Sequence, residues 1–419
     1  MTSSRHSVQL PITLAYAKGA YSAKLSLGSE RATANVMLDT GSSTLAVMSK
    51  TYAPNRDSSL RATALAQHVT YGKGAWAGPV LHSDIGIGDG EHARSLPAAP
   101  FAFVETDARS FFRDADGILG LAYRHLNTAH DLAALLTEQG RAPALTWPWP
   151  FSDVEEADVV AFTDRMHEQP RVSVEPFFSA LEAHGVVADK FAMLIRRALV
   201  HVLDDTASAD QLADDPLNRG VLVLGGGEEH QSLYDGAFQD IRILHELYYN
   251  ANLISVQVGS ETPIPAPALL EEFQAGAGSN AIIDTGSSFI VAEATIFDAI
   301  IAAFGRHDER LPGLVARFQK AFETEQGVPN AVIDPKDWPD LHFHLESASG
   351  DVVRLTCAPS HYWQRNALVA GQSFFLLLRQ VPSWPNQSIL GLPLLSGRYC
   401  VFDRRREGKG VVRLAKAAE

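Results

Sequence analysis

Short apolar or alternating runs, separated by glycine-containing turns, dominate the chain. Runs of this length with turn residues at both ends are typical of β-strands. The clearest predicted strands are residues 9–14, 20–27, 34–38, 221–224 and 253–258. The hydrophobic pattern therefore predicts a mostly β protein.

Helical spacing is confined to fewer segments, and each of them ends at or beside a glycine. In the longest, Leu314, Phe318 and Phe322 recur four residues apart, so they share one helix face. We expect these helices to pack against the strands. The predicted helices are residues 131–139, 175–184, 294–304 and 312–326.

Residues 124–172 differ from their surroundings. They contain a run in which Trp147 and Trp149 alternate with prolines, followed by the acidic stretch 153–158. We interpret this segment as an insertion on the β framework. The residues leave open whether it forms a wall facing a substrate or a cover over apolar surface. Packing of the insertion is the favoured role for the two tryptophans over ligand binding.

An internal repeat is the strongest signal in the chain. The run Asp39-Thr40-Gly41-Ser42-Ser43 recurs as Asp284-Thr285-Gly286-Ser287-Ser288. Each copy follows an apolar strand, and another apolar run follows each copy. One such pentapeptide fits an ordinary Asx turn. Two copies in matched settings, one in each half of the chain, indicate a paired functional site.

Two rigidly held carboxylates that face each other cannot both ionise, so they share one proton. The ionised member can deprotonate a water, and the protonated member can donate to a substrate carbonyl. Gly41 and Gly286 permit unusual dihedral angles and close backbone approach. The other predicted supports are hydroxyls: Thr40 and Thr285 are expected to bond the opposite loop, and Ser42 and Ser287 the outer carboxylate oxygens. The site needs no metal or other cofactor.

Composition indicates which partners and which cellular location to expect for such a site. The 419 residues are 46% hydrophobic and carry a formal net charge of −14, which disfavours nucleic acid and anionic membranes as partners. No secretory signal or membrane span is visible. Cys357 and Cys400 are the only cysteines, so a disulfide framework is absent and a reducing, cytoplasmic location is expected. Both are expected to be small buried hydrophobes, although one bridge between them remains open.

With these motifs the chain resembles the pepsin-like aspartic proteases over most of residues 8–123 and 173–419. The resemblance implies a mostly β, bilobal acid-protease fold of two pseudo-symmetric barrel-like lobes with a central cleft, residues 1–195 and 196–419. It also implies that Asp39 and Asp284 are the catalytic pair.

The same resemblance assigns substrate contacts. By this likeness Tyr71, Gly72 and Lys73 belong to the flap that covers the substrate, and Ile118 and Phe111 line the S1 pocket, which Ala115 is expected to enlarge. Two segments, residues 116–123 and 389–391, are expected beneath the first and second aspartate loops.

Some residues depart from the family pattern. Ala46 stands where many members carry a tryptophan that bonds the flap tyrosine, and the flap carries Trp76 instead. Leu392 replaces the usual aspartate after Ile-Leu-Gly. With no visible prosegment or disulfide set, the chain is most similar to the prokaryotic branch of the family.

The expected function is that of a monomeric, pepstatin-sensitive endopeptidase with an acidic optimum. Its substrates are expected to be peptides or unfolded proteins with large hydrophobic residues around the scissile bond. The alternative is a non-catalytic module of the same fold that binds or inhibits proteins. Two weaker motifs favour structure over function. The 225–227 glycine run is expected to be a turn, and His342 and His344 are expected to be hydrogen-bonded residues of a surface strand instead of metal ligands.

Overall fold

The structure is a computed structural model that describes residues 7–70, 75–88, 93–108, 112–149, 163–406 and 408–418. Packing divides the chain into two compact units, which we call unit N (Ser22–Ala188) and unit C (Met1–Tyr21 with Asp189–Glu419). The sequence placed one boundary at residues 195/196. In the structure the change of unit falls at 188/189, and residues 7–21 pack with unit C.

The protein is mostly β, as predicted. Its strands are β1 (Val8–Thr13), β2 (Ser22–Leu27), β3 (Ala32–Asp39), β4 (Leu45–Met48), β5 (Arg61–Thr70), β6 (Ala75–Ile87), β7 (Arg94–Val104), β8 (Thr106–Ala108), β9 (Gly117–Gly120), β10 (Thr128–Asp131), β11 (Arg171–Ser173), β12 (Lys190–Ile195), β13 (Arg219–Leu224), β14 (Tyr234–Arg242), β15 (Tyr249–Ala251), β16 (Leu253–Val258), β17 (Ile264–Pro265), β18 (Ala281–Ile283), β19 (Ile290–Ala292), β20 (Val328–Pro329), β21 (Leu341–Glu346), β22 (Val352–Cys357), β23 (Trp363–Arg365), β24 (Gln372–Phe375), β25 (Leu377–Arg379), β26 (Ser388–Leu390), β27 (Arg398–Asp403) and β28 (Val411–Ala417).

In the described part of the chain, helices are fewer than strands. They are α1 (Ala133–Glu138), α2 (Phe177–Ala183), α3 (Ala209–Asp214), α4 (Gln274–Ala277), α5 (Ala294–His307), α6 (Leu311–Phe322), α7 (Pro359–Tyr362) and α8 (Leu392–Leu395), and residues 163–167 are helical as well.

Unit N is built on a closed barrel of six strands. They are hydrogen-bonded in the order β6-β7-β4-β9-β3-β2, and β2 pairs back onto β6 to close the ring. Closure leaves no free edge within the ring. β5 pairs with β6 outside it, and β10 and β11 extend that side further. Fully buried side chains such as Leu38, Val47 and Leu81 form its core.

Unit C contains several sheets. One runs β1-β13-β12-β27-β28-β14, and a five-stranded sheet runs β15-β18-β26-β19-β25. Two smaller sheets are β17-β16-β21-β22 and β20-β24-β23. Helices α5 and α6 bring Phe304 and Phe318 against Trp363 and Phe375, with ring centres 4.9–6.4 Å apart. Such aromatic packing buries much apolar area and anchors the helices to the sheets.

The predicted elements are present with shifted ends. Strand β16 has the predicted bounds, whereas the predicted helix 131–139 is split. Asp131 belongs to β10 because that strand pairs with β5, and its carboxylate accepts the Ala133 amide at 3.0 Å to start α1. Helix α6 ends at Phe322, four residues before the predicted end. Glu325 there adopts a left-handed φ of 58°, which a helix cannot continue through.

The described part of the 124–172 segment packs onto β5. Trp149 and Met166 are buried in a cluster with Ala66 of β5 and the leucines of α1, and Trp147 packs against it. This confirms the packing role of both tryptophans. The segment covers apolar surface of the sheet, which the sequence had left undecided.

The two cysteines are buried as expected, and the paired histidines are hydrogen-bonded as expected, but His342 is buried and not at the surface. Cys357 and Cys400 are buried and unpaired, and burial raises the pKa of both thiols, that of Cys400 to about 12. His344 bonds Ser255 at 2.9 Å, and the buried His342 bonds Thr356 at 3.0 Å. No helix among the described residues is long and apolar enough to cross a membrane.

Each unit holds a carboxylate that is tied by several donors. In unit N, burial alone would raise the pKa of Asp57, but the hydroxyls of Ser83 and Tyr52 and the amides of Ser29 and Ser59 bring it below its usual value.

In unit C, the carboxylate of Glu228 is also desolvated. Lys190, at 2.6 Å, and Arg413 outweigh the desolvation and lower its pKa to about 2. Neutral hydroxyl and amide donors therefore stabilise the Asp57 carboxylate, and cationic side chains stabilise the Glu228 carboxylate.

Candidate active site

The first Asp-Thr-Gly-Ser-Ser loop follows β3, whose last residue is Asp39. The side chain of Asp39 is 6% exposed, and its Oδ1 accepts the Gly41 amide at 2.7 Å. β3 pairs in parallel with β9, which places Gly120 opposite Asp39. The predicted position of the 116–123 segment beside this loop is thereby confirmed.

Further bonds hold the first loop in the barrel. The Ser43 hydroxyl donates to the Tyr123 carbonyl at 2.5 Å, and the Thr44 hydroxyl to Asn127 Oδ1 at 2.8 Å. A Cβ on Gly120 would lie 2.5 Å from main-chain atoms of Ser43, far inside van der Waals contact. The loop therefore requires glycine at 120 for close packing.

The second loop follows β18 and has the same local geometry. Asp284 Oδ1 accepts the Gly286 amide at 2.8 Å, as Asp39 does from Gly41. β18 pairs in parallel with β26, so residues 389–391 lie beside this loop as predicted. A Cβ on Gly391 would lie 2.5 Å from the Ser287 carbonyl oxygen. The sequence repeat is thus a structural repeat of strand, Asx turn and neighbouring glycine.

The bonds after the neighbouring glycine differ between the two loops. In the first, the amides of Leu121 and Ala122 donate to the carbonyls of Asp39 and Ser42 at 2.7 and 2.8 Å. In the second, the Leu392 amide donates to the Ser287 carbonyl at 2.9 Å. The residue after Leu392 is Pro393, which has no amide proton. The motif-serine carbonyl therefore receives its amide from the first residue after the neighbouring glycine in the second loop, and from the second residue after it in the first loop.

The serine hydroxyls do not take the roles predicted for them. Ser287 Oγ donates its one proton to the Phe289 carbonyl at 2.8 Å, so the predicted bond to the Asp284 carboxylate is not made. Ser42 Oγ is buried and has no hydrogen-bond partner in the described part of the chain. Thr40 and Thr285 are fully buried, and their predicted bonds to the opposite loop stay predictions.

The residue after each of these serines is the one that anchors its loop. Ser43 bonds Tyr123, and Ser288 Oγ donates to the Gly19 carbonyl at 2.5 Å within unit C. A Cβ on Gly19 would overlap Ser288 Oγ. Sequence reasoning missed Gly19 because it is 269 residues from Ser288 and carries no motif. Ser43 and Ser288 were visible as the repeated fifth residue of each motif.

The predicted substrate contacts are only partly described. Tyr71, Gly72, Lys73 and Phe111 lie outside the described residues. Ile118 is 2% exposed, on β9 opposite Met37 of β3.

Three further residues that the sequence singled out, Ala115, Ala46 and Trp76, are buried. Ala115 is fully buried, and its expected enlargement of S1 stays a prediction. Ala46 and Trp76 are buried as well, and Trp76 Nε1 finds no partner among the described residues. Trp76 is therefore a core residue of unit N at the start of β6.

Among the described residues, no group of three histidine, cysteine, aspartate or glutamate side chains is arranged to hold a metal ion. The chemistry that the two loops themselves offer is that of oriented carboxylates. In both, a main-chain amide binds Oδ1 from two residues ahead, which fixes the plane of the carboxyl group.

Comparison with known proteins agrees with this geometry. The chain is 23% identical over 414 residues to a β-secretase of Strongylocentrotus purpuratus, covering 94% of this chain and 66% of that protein. It is 22% identical over 303 residues to pepsin II-1 of Oryctolagus cuniculus, covering 69% of this chain and 59% of that protein. The chain thus spans about two thirds or less of the length of these curated relatives.

A family model gives the broader match. The model described as eukaryotic aspartyl protease matches residues 20–139 and 178–417, and its gap falls within and just after the segment interpreted as an insertion. The match includes both Asp-Thr-Gly-Ser-Ser loops and the strands that support them. The predicted pepsin-like fold class is confirmed, and the chain belongs to the eukaryotic aspartyl protease family.

Proposed function

We propose that this protein is an aspartic endopeptidase in which Asp39 and Asp284 act as one catalytic pair. One observation carries the proposal: both loops are complete, and both hold the carboxyl group by the same amide bond from the motif glycine. Family membership and the names of the relatives, β-secretase and pepsin II-1, support the same activity.

The mechanism follows from a shared proton. One carboxylate takes a proton from a water, and that water attacks the scissile carbonyl carbon. The other carboxyl group donates to the carbonyl oxygen and stabilises the charge that develops there. The proton taken from the water then passes to the leaving nitrogen, and a hydroxyl of the tetrahedral carbon returns its proton to the second carboxylate as the carbonyl forms and the carbon–nitrogen bond breaks. No covalent intermediate forms on the protein.

Substrate choice and setting are further parts of the proposal. The resemblance favours extended peptides with large hydrophobic residues beside the scissile bond, recognised by Tyr71, Gly72, Lys73, Phe111 and Ile118. We propose an acidic optimum, sensitivity to pepstatin and action as a monomer. The two unpaired thiols of Cys357 and Cys400 support a reducing, cytoplasmic location.

Cleavage of a defined peptide tests the activity. The purified chain is incubated with a peptide carrying two large apolar residues at its centre, from pH 3 to 7, with and without pepstatin. We expect cleavage between those residues, highest in acid and blocked by pepstatin. Asp39→Asn should lower kcat/KM for this peptide by about 10³-fold. Asp235→Asn, at an exposed aspartate of β14, should leave it unchanged. Absence of cleavage throughout this range would contradict the proposal.

A further inference from the structure

Three histidine rings from separate parts of unit N lie together. His68 is on β5, His130 on β10 and His167 in the helical turn 163–167. The ring centre of His167 lies 5.2 Å from that of His68 and 5.3 Å from that of His130. His68 Nδ1 is 3.2 Å from His167 Nε2, and His130 Nδ1 is 3.2 Å from the Gln169 carbonyl oxygen. Neutral rings can make both bonds.

The strand register explains the cluster. His130 pairs directly with Ala66, so it lies on the same face of the sheet as His68, two residues further along β5. Arg171 of β11 pairs with His130 and brings a cation to that face. Met166, beside His167, is fully buried in the apolar cluster that includes Ala66. Segment 163–169 is thus attached to the sheet by Met166 and by the two histidine bonds.

Burial and charged neighbours favour the neutral form of the His68 and His130 rings. Burial lowers the pKa of His68, and His167 and His130 lower it further. Burial also lowers the pKa of His130, against a smaller opposite effect of the Gln169 carbonyl, and His167 and Arg171 add to the lowering.

Other charged groups nearby do not offset this effect. Asp164, Arg165 and Glu168 are exposed on the helical turn, and Asp131, the next residue of β10, projects from the opposite face. In the described part of the chain none of these carboxylates pairs with the rings.

We propose that His68, His130 and His167 form a proton-sensitive latch that holds segment 163–169 on the β5–β10 face at neutral pH and releases it in acid. The bond between His68 and His167 needs one ring nitrogen that accepts. When both rings are protonated, all of their nitrogens are donors and this bond is lost. Three like charges then lie about 5 Å apart beside Arg171, and they repel one another.

The direction of the pH effect follows from the lowered pKa values. Protons bind more strongly to the released state, because docking disfavours the charged forms of His68 and His130. Docking is therefore fully stable above the ordinary histidine pKa of about 6.5 and weakens as the pH falls below it.

The latch would regulate the proposed peptidase, and in that respect it rests on the proposed function. Segment 163–169 lies in the part of the chain that the family model does not match. It packs on β5, the strand that leads in sequence to Tyr71, the predicted substrate contact. Release of the segment in acid removes packing from that strand. We therefore expect release to lower peptide cleavage in the pH range where the peptidase is expected to work.

Hydrogen exchange tests the latch without needing activity. Protection of the 163–169 amides, corrected for intrinsic exchange, is measured at pH 7.5 and 5.0 with EDTA present. The full chain carrying Asp39→Asn is used, which prevents self-cleavage. We expect protection to fall at least about tenfold on acidification. His167→Gln, which stays neutral, should reduce that fall to less than about threefold, whereas His125→Gln, at an exposed histidine, should leave it unchanged.

Two results would overturn the latch: equal protection at both pH values, or the same fall in His167→Gln as in the parent chain. Peptide cleavage then tests its regulatory role separately. In the active chain, His167→Gln should raise the ratio of kcat/KM at pH 4.5 to that at pH 7 by at least about threefold. An unchanged ratio alongside pH-dependent exchange would overturn the regulatory role, while complete inactivity would instead contradict the proposed function.

Discussion

The two aspartate loops share five residues and one Asx turn, yet they are held by different surroundings. The first lies in the closed barrel of unit N, with Asp39 buried and Ser43 bonded to Tyr123, the last residue of the 116–123 segment that supports the loop. The second lies in an open five-stranded sheet of unit C. Asp284 is more exposed there, and Ser288 reaches Gly19, near the chain start. The motif therefore fixes the carboxylate, and each unit supplies its own anchor.

The largest expected effect concerns what the loops share. Asp39→Asn and Asp284→Asn should each lower kcat/KM by about 10³-fold, because an amide can neither accept nor share the proton. Steady-state cleavage of the same peptide measures both. A loss tenfold smaller in one variant would show that the two carboxylates are not equivalent, despite their equal bonds to Gly41 and Gly286.

The next effect concerns the glycines beside the loops. Gly120→Ala and Gly391→Ala each force a methyl group against main-chain atoms that cannot move separately. We expect each to lower the free energy of unfolding by about 1–3 kcal/mol or more. Urea denaturation measures this. Gly313→Ala is the control, because it lies in α6 with open space around it and should stabilise the protein by up to about 1 kcal/mol.

A variant at Gly19 should separate the two anchors. Gly19→Ala pushes Ser288 Oγ away from the Gly19 carbonyl, which costs about 1 kcal/mol and disturbs the second loop alone. We expect kcat/KM to fall several-fold. Adding Ser288→Ala removes the clashing atom, so the double variant should lose less than the sum of the two single variants. Additive losses would contradict the contact.

The serine anchors themselves should differ slightly. Ser43→Ala leaves the Tyr123 carbonyl without this donor at a buried bond, whereas the Ser288 bond is partly exposed. We expect losses of about 1–2 kcal/mol for Ser43→Ala and about 1 kcal/mol or less for Ser288→Ala. Thermal unfolding of the two variants in one buffer ranks them. The reverse order would show that the open sheet depends more on its anchor than the barrel does.

The smallest expected effect is a difference between the two units in how acid and salt change the free energy of unfolding. Asp57 and Glu228 have lowered pKa values in the folded protein, so each carboxylate stabilises the fold. This contribution is complete above the pKa of the unfolded chain and is lost as the pH falls through the pKa of the folded protein. For Glu228 this loss extends from about pH 4.5 down to about 2. High salt should weaken the contribution of Glu228, which Lys190 and Arg413 bind, more than that of Asp57. Unfolding of Glu228→Gln and Asp57→Asn at two salt concentrations measures the difference.

Local patterns predicted much of this molecule. The strand periodicity, the two pentapeptides and the segments beside them are encoded within a few residues, and each is found at or near its predicted place. The carboxylate bond predicted for Ser287 is not made, because a hydroxyl bonds whichever carbonyl the fold brings close. Ser287 finds Phe289, two residues away, and Ser288 finds Gly19, 269 residues away. Motif residues alone do not distinguish these outcomes.

Pairing of β1 with β13 affects how the chain can be synthesised and folded. Unit N is one continuous stretch, so it can fold on the ribosome as soon as residue 188 has emerged. β1 pairs with β13, roughly 200 residues later, and its part of the chain must wait for that strand. At translation speeds of roughly 5–20 residues per second, this wait is on the order of ten seconds or more. The anchor of the second loop at Gly19 belongs to this early-made, late-folding segment, so catalytic competence would be acquired only near the end of synthesis.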